Sequence, residues 1–195
     1  MKRIVAITLV VPDLATVLAV YQSFGYPLVS QGQLTQDDVI VQRDARFLSC
    51  AFACLTLNPG IEQHLELVEY PECQQQVPFS VSGWAALELL VADLNAVYEQ
   101  VRSMGLPIWG EPKPLSFTDD IKAMQVLGRA GELIYFTQQI SPVPAWPLPQ
   151  VRQPYDQCFV AILCSHQIAV SNTFYARLFE TPEPEILRSK VAGLS

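Results

Sequence analysis

A chain of 195 residues, half hydrophobic and 16% charged, has ample apolar material for a core and is not a disordered or highly solvated protein. Its 19 acidic residues against 12 basic ones leave a formal charge of −7. That balance excludes a general grip on nucleic-acid backbone and docking on anionic lipid, which both need a concentrated basic face.

The chain starts Met1-Lys2-Arg3 and runs apolar from Ile4 to Val11, as a signal peptide does. The run stops at Pro12-Asp13 without a small-residue cleavage site and reads as a strand. No stretch has the roughly 20 apolar residues that span a bilayer. Asp13 then N-caps a helix with apolar spacing at Leu14, Val17 and Leu18, and Gly25 and Pro27 end it. Three strand-like runs follow, Val39–Arg43, Phe47–Leu57 and Gln63–Glu69. The five cysteines are odd in number with no CxxC pair; Cys50 and Cys54 share a strand face with Phe52 and read as core packing in a reduced, cytoplasmic setting.

The pattern then repeats. Leu9, Val11, Asp13, Leu14, Val17, Ser23, Gly25 and Pro27 recur without a gap as Leu89, Val91, Asp93, Leu94, Val97, Ser103, Gly105 and Pro107. Eight identities in twenty positions at an offset of eighty mark a duplicated unit. In the second copy a strand at Ala85–Val91 precedes the helix. Strand-like runs at Leu115–Thr118, Ile121–Leu127 and Glu132–Thr137 follow it, with a turn at Arg129-Ala130-Gly131. Each unit is β-α-β-β-β. Residues 1–140 form one bi-modular domain (modules 1–80 and 81–140), and residues 141–155 a stiff proline-rich linker. Residues 156–195 make an incomplete third module, with a strand over Gln157–Cys164 and a helix over Ile168–Phe179. Ser165 or His166 stands near that helix's start, and the glycine stop is missing.

The segments LVVPDLATVLAVYQSFG and LLVADLNAVYEQVRSMG, with the closing strands GIEQHLELVEYP and GRAGELIYFTQ, resemble the vicinal oxygen chelate superfamily, the group of glyoxalase I, bleomycin-resistance proteins and extradiol dioxygenases. The resemblance covers roughly residues 3–140. It implies an α+β fold of tandem βαβββ modules whose mixed sheet curls around a cup, here with a partial third module. It also implies a divalent metal held by the first and last strand of each module. Seven residues before Asp13 and Asp93, however, stand Ala6 and Ala86. Glu66 matches a family ligand, while Tyr135 stands at the corresponding place in the second module. With one standard ligand of four, the metal is disfavoured and no cofactor is expected.

Strand alternation puts Ala6, Thr8 and Val10 on the cup face, with Ala86, Glu88 and Leu90, His64, Glu66 and Val68, and Leu133, Tyr135 and Thr137. Glu66, Glu88, Tyr135 and His64 are the candidate catalytic residues, because desolvation brings a carboxylate closer to neutrality and a phenol supplies a proton. Thr8, Arg43, Arg46, Thr137 and Trp109 are candidate ligand contacts. The arginines also read as a solvated hairpin, and Trp109, with Trp84 and Phe117, as packing. Three functions follow: a metal-independent enzyme on a small apolar or aromatic metabolite, a ligand-sequestering protein, and the scaffold half of a two-domain dioxygenase-like enzyme. The expected partners are a small-molecule ligand and a second copy, as a homodimer.

Overall fold

A computed structural model describes residues 4–182. The ends of the chain at Met1 and Ser195 lie outside the described residues, so the third module is seen only through its first strand and helix.

Strand β1 (Ala6–Val11) leads into helix α1 (Leu14–Ser23), whose N-cap Asp13 accepts the Thr16 N–H at 3.0 Å. Strands β2 (Leu28–Gln33), β3 (Ala51–Asn58) and β4 (Gln63–Glu69) complete the first module. The second repeats the plan with β5 (Gly83–Val91), α3 (Leu94–Ser103), β6 (Ile108–Leu115), β7 (Thr118–Leu127) and β8 (Leu133–Gln139), its helix N-capped by Asp93. Gly25 and Gly105 end the two helices at φ +87° and +63°, the left-handed backbone that favours glycine.

Helix α2 (Val39–Arg43) lies between β2 and β3, where the sequence suggested a strand. The β-branched run Val39-Ile40-Val41 carries a strand signal, yet local bonds set a turn first. Asp38 accepts both the N–H and the hydroxyl of Thr35, at 2.7 and 2.8 Å, and Val41 then buries against Leu34 and Val68. Five residues do not hold a helix unaided, so packing decides the form. The true second strands, β2 and β6, were missed for a related reason. Both are sheet-edge strands, β2 almost wholly exposed and β6 interrupted by Pro112 and Pro114, residues that a strand accepts at an edge. Residues 115–118, read as a strand, form the tight connection between β6 and β7.

The first sheet has the order β1-β4-β3-β2, with β1 and β4 parallel. The second would be its copy, β5-β8-β7-β6, but carries a fifth strand. This is β9 (Tyr155–Cys164), which has no closing strand of its own among the described residues and pairs antiparallel along the edge of β5. Helix α4 (Ile168–Phe179) follows. Its N-cap is Gln167, not Ser165 or His166, and no side chain caps it; Ser165 accepts the Gln167 N–H at 3.1 Å and meets Ser171 at 2.7 Å. At its other end Glu180 takes the left-handed place of the missing glycine, at φ 52°.

One face of both sheets meets α1 and α3 in a single core. Ile7, Leu9 and Val11, Leu65 and Leu67, Leu87 and Leu89, and Ile134 and Phe136 point there, in the alternation the sequence suggested. Phe24, the C-cap of α1, stacks on Tyr155 of β9 with centroids 4.8 Å apart and meets Phe136 edge-on at 5.4 Å. The third module's strand is thus built into the core of the first two.

Polar bonds fix it there. The buried Gln63 side chain donates to the carbonyls of Ile4 and Cys158, at 3.0 and 2.7 Å, and accepts the Cys158 N–H at 2.7 Å. Asp156 is fully buried, hydrogen-bonded to the Asn58 amide and accepting the N–H groups of Arg152 and Gln157. Tyr26 donates to the Asp156 carbonyl at 2.8 Å. Such bonds satisfy buried groups that would otherwise cost stability.

Candidate functional site

The opposite faces of the strands form the cup side. Ala6, Thr8 and Val10 are exposed on β1, although their neighbours Ile7 and Leu9 pack on the core. A cleft of about 830 Å³ opens along this strand and reaches β5. Ala6, Thr8, Val10, Trp84 and Ala86 line it, and Arg43 comes to it from the end of α2. Phe179 of α4 and the loop from Cys73 to Phe79 also reach it. Its size suits a small molecule.

Both alanines at the family's first-strand ligand positions therefore line the cleft with methyl groups. The flanking pairs are polar. On the first sheet Thr8 lies opposite Glu66 and donates to its carboxylate at 2.6 Å, and Ala6 lies opposite His64. On the second, Ala86 lies opposite Leu133, both on the cleft, and the next pair on that face is Glu88 and Tyr135, about 7 Å along the strand. The duplication thus places Thr8–Glu66 and Glu88–Tyr135 at equivalent registers. The sheets bring the candidates together as two pairs, one per module; among the described residues no hydrogen bond or ion pair joins one pair to the other.

Burial tunes the second pair. It pushes the Glu88 carboxyl above the usual range, and the hydrogen bond from Thr137 only partly offsets that. Burial also pushes Tyr135 up to about 12, helped by the Glu88 charge, so its phenol stays protonated at neutral pH. A carboxyl raised above its ordinary value by burial, beside a neutral phenol, is a proton-transfer arrangement. His64 has its Nδ1 buried without a partner.

The remaining candidates divide. Thr137 is buried as a donor to Glu88. Arg46 is held by Asp44 at 2.6 Å on an exposed turn away from the cleft lining, so the two arginines belong to a helix end and the following turn, not a hairpin. Trp109 is half-buried on β6. Cys54 shares the cup-side face with Phe52, as expected, whereas Cys50 precedes the strand. Burial raises the thiols of Cys54 and, to about 12, Cys158, which keeps both protonated and unreactive.

Two residues escaped the sequence reading. Gln125 lies opposite Tyr135 on β7, buried, with its amide oxygen unpartnered. A lone amide in the run Ala123-Met124-Gln125-Val126-Leu127 was the signal available. Glu132 borders the cleft just after the turn glycine Gly131. It accepts the Ala130 N–H at 2.9 Å and the hydroxyl of the fully buried Tyr21 at 3.1 Å, and burial raises its pKa.

A divalent metal fits this donor set poorly. Ala6 and Ala86 offer no donor, the Tyr135 phenol is protonated, and one Glu66 oxygen already accepts from Thr8. Among the described residues no three His, Cys, Asp or Glu side chains are grouped to hold an ion. No described helix is long and apolar enough to cross a membrane.

No family model matches the chain, and no curated protein does. Solved structures do. A glyoxalase family protein from Bacillus cereus superposes at TM-score 0.59 with 16% identity, over 72% of this chain and 96% of the other. Glyoxalase I from Zea mays gives 0.55 at 18% identity over 73% of this chain, which spans only 46% of the maize protein. The fosfomycin resistance protein FosX from Listeria monocytogenes gives 0.51 at 12%, over 74% and 97%. At such identities the likeness speaks for architecture and not for reaction. Paired βαβββ modules, a shared core and these neighbours together give the chain the fold of the glyoxalase, bleomycin resistance and dioxygenase superfamily.

Proposed function

We propose that this protein binds a small, largely apolar molecule in the cleft between β1 and β5, without a metal such as the Mn(II) of the FosX complex. The observation that carries the reading is the pair Ala6 and Ala86 on the cleft. Methyl groups stand where a metal centre needs imidazole or oxygen donors, and they widen an apolar space. The sequestering and the enzymatic readings share this site. A specific observation favours chemistry as well as binding: Glu88, raised by burial, faces the protonated Tyr135 one pair beyond Ala86. The carboxylate would take a proton from the ligand and the phenol would return one, and exchange with water would then deprotonate Glu88 and reprotonate Tyr135. The free cysteines support a reduced, cytoplasmic setting.

Titration with the fluorescent apolar probe N-phenyl-1-naphthylamine tests the site. Saturable binding at one probe per chain is expected, weakened about tenfold or more in Ala86→Trp, where the indole fills the cleft. Unchanged binding in that variant would place the probe elsewhere and refute the assignment.

A further inference from the structure

Across the second sheet, Gln125 of β7, Tyr135 of β8 and Glu88 of β5 stand side by side in register. They share the cup-side face, because Met124 and Val126, Ile134 and Phe136, and Leu87 and Leu89 all turn to the core. Neighbouring strands put the three about 4.8 Å apart, a span a compact ligand covers. The members differ in how their hydrogen-bonding capacity is used. Glu88 accepts from Thr137. Gln125 is 7% exposed, its Oε1 has no donor, and no hydrogen bond within the described residues involves its amide. Gly110, opposite it on β6, brings no side chain. A buried amide left in this state asks for a partner from outside the chain.

We infer that Gln125 is the polar anchor of the binding site, reading an uncharged N–H-bearing group such as a primary carboxamide or lactam. The inference rests on the cup-binding reading above and names the ligand chemistry within it. An amide is self-complementary: the ligand N–H meets Gln125 Oε1, and the ligand carbonyl can accept from Gln125 Nε2 or the Tyr135 hydroxyl. A carboxylate ligand would lack the donor that Oε1 needs and would sit two strands from the Glu88 carboxyl. Arg43, on the cleft but at the end of α2, is not part of this row. The row itself stands one residue pair beyond the cleft lining, and the apolar body would lie toward Leu133 and Ala86, the next pair along the strands and part of that lining.

Three probes of one skeleton test this: 2-naphthamide, N,N-dimethyl-2-naphthamide and 2-naphthoate, each titrated into isotope-labelled protein with backbone amide shifts as the readout. The primary amide is expected to bind about tenfold more tightly than either of the others, with shifts in β7 and β8. In Gln125→Met, which keeps the length and apolar bulk but loses the amide, that advantage should fall to about twofold or less while the dimethylamide binds as before. Equal binding of the three probes with shifts in the cup would overturn the anchor and leave the cup site standing. Tighter binding of 2-naphthoate would do the same. Shifts confined to other surfaces, or none, would overturn the cup-binding reading itself. The ranking on the unaltered protein decides the matter even if the Gln125 variant folds poorly.

Discussion

Glu88 and Gln125 sit one residue apart in their strands from core side chains, yet they face the other way, and that alternation is the whole basis of the site. A carboxyl whose folded pKa is raised lends stability that is full below the ordinary value of 4.5 and is lost as pH rises through the folded value. Glu88→Gln keeps an acceptor for Thr137 and removes the ionisation. Thermal unfolding from pH 4 to 8 should therefore show a shallower decline for the variant, which gains on wild type as pH rises. An unchanged slope would mean that Glu88 is not desolvated. Glu132 adds a similar decline, since burial raises its carboxyl too. The cup-side residues of β1, β4, β5 and β8 were legible because period-two alternation needs only the strand and its direction. Gln125 was not singled out, because its isolation depends on the absence of a donor across β6 and β8, and sequence does not report absences. Nor did sequence show that Thr8 and Glu66 would bond to each other, which depends on register.

The helices with strong local signals lie where the sequence put them. Asp93 caps α3 through the N–H groups of Asn95 and Ala96, and Gly105 closes it, so both ends are written in single residues. Replacing Asp93 by Ala should cost about 1 kcal/mol and lower Tm by about 3 °C, measurable by calorimetry. No shift would show that packing alone sets the helix start. Where elements were misread, tertiary contacts outweighed local preference. Val39–Arg43 has strand-forming residues but folds as α2 because Val41 finds Leu34 and Val68. Gln63 is the converse case, an ordinary polar residue in its sequence that fastens three backbone groups of two other segments. Gln63→Leu leaves those buried groups without partners and should destabilise the fold by about 3 kcal/mol in urea unfolding. A loss below about 0.5 kcal/mol would show that Gln63 does not hold β9 in place.

At the scale of the molecule, the duplication was readable and the fate of the third module was not. Repeated residues announce a repeated unit, but the edge that a further unit covers is settled by three-dimensional fit. Strand β9 takes the free edge of β5 and carries Tyr155 and Cys158 into the shared core, while α4 leaves Val170, Phe174 and Leu178 exposed along one side. A chain cut after residue 154 would bare the β5 edge, remove the Tyr155 ring stacked on Phe24 and take the hydrogen-bond acceptor of Tyr26. It should unfold without a cooperative transition and aggregate; a soluble, cooperatively folding product would make the third module a mere appendage. On the proposed reading the cup holds its ligand on an apolar floor, without a metal. Its most direct test is the affinity for N-phenyl-1-naphthylamine, measured on protein as purified and again after exhaustive treatment with EDTA. The same Kd in both is the expected result, and loss of binding on chelation, restored by one equivalent of manganese or zinc, would contradict it.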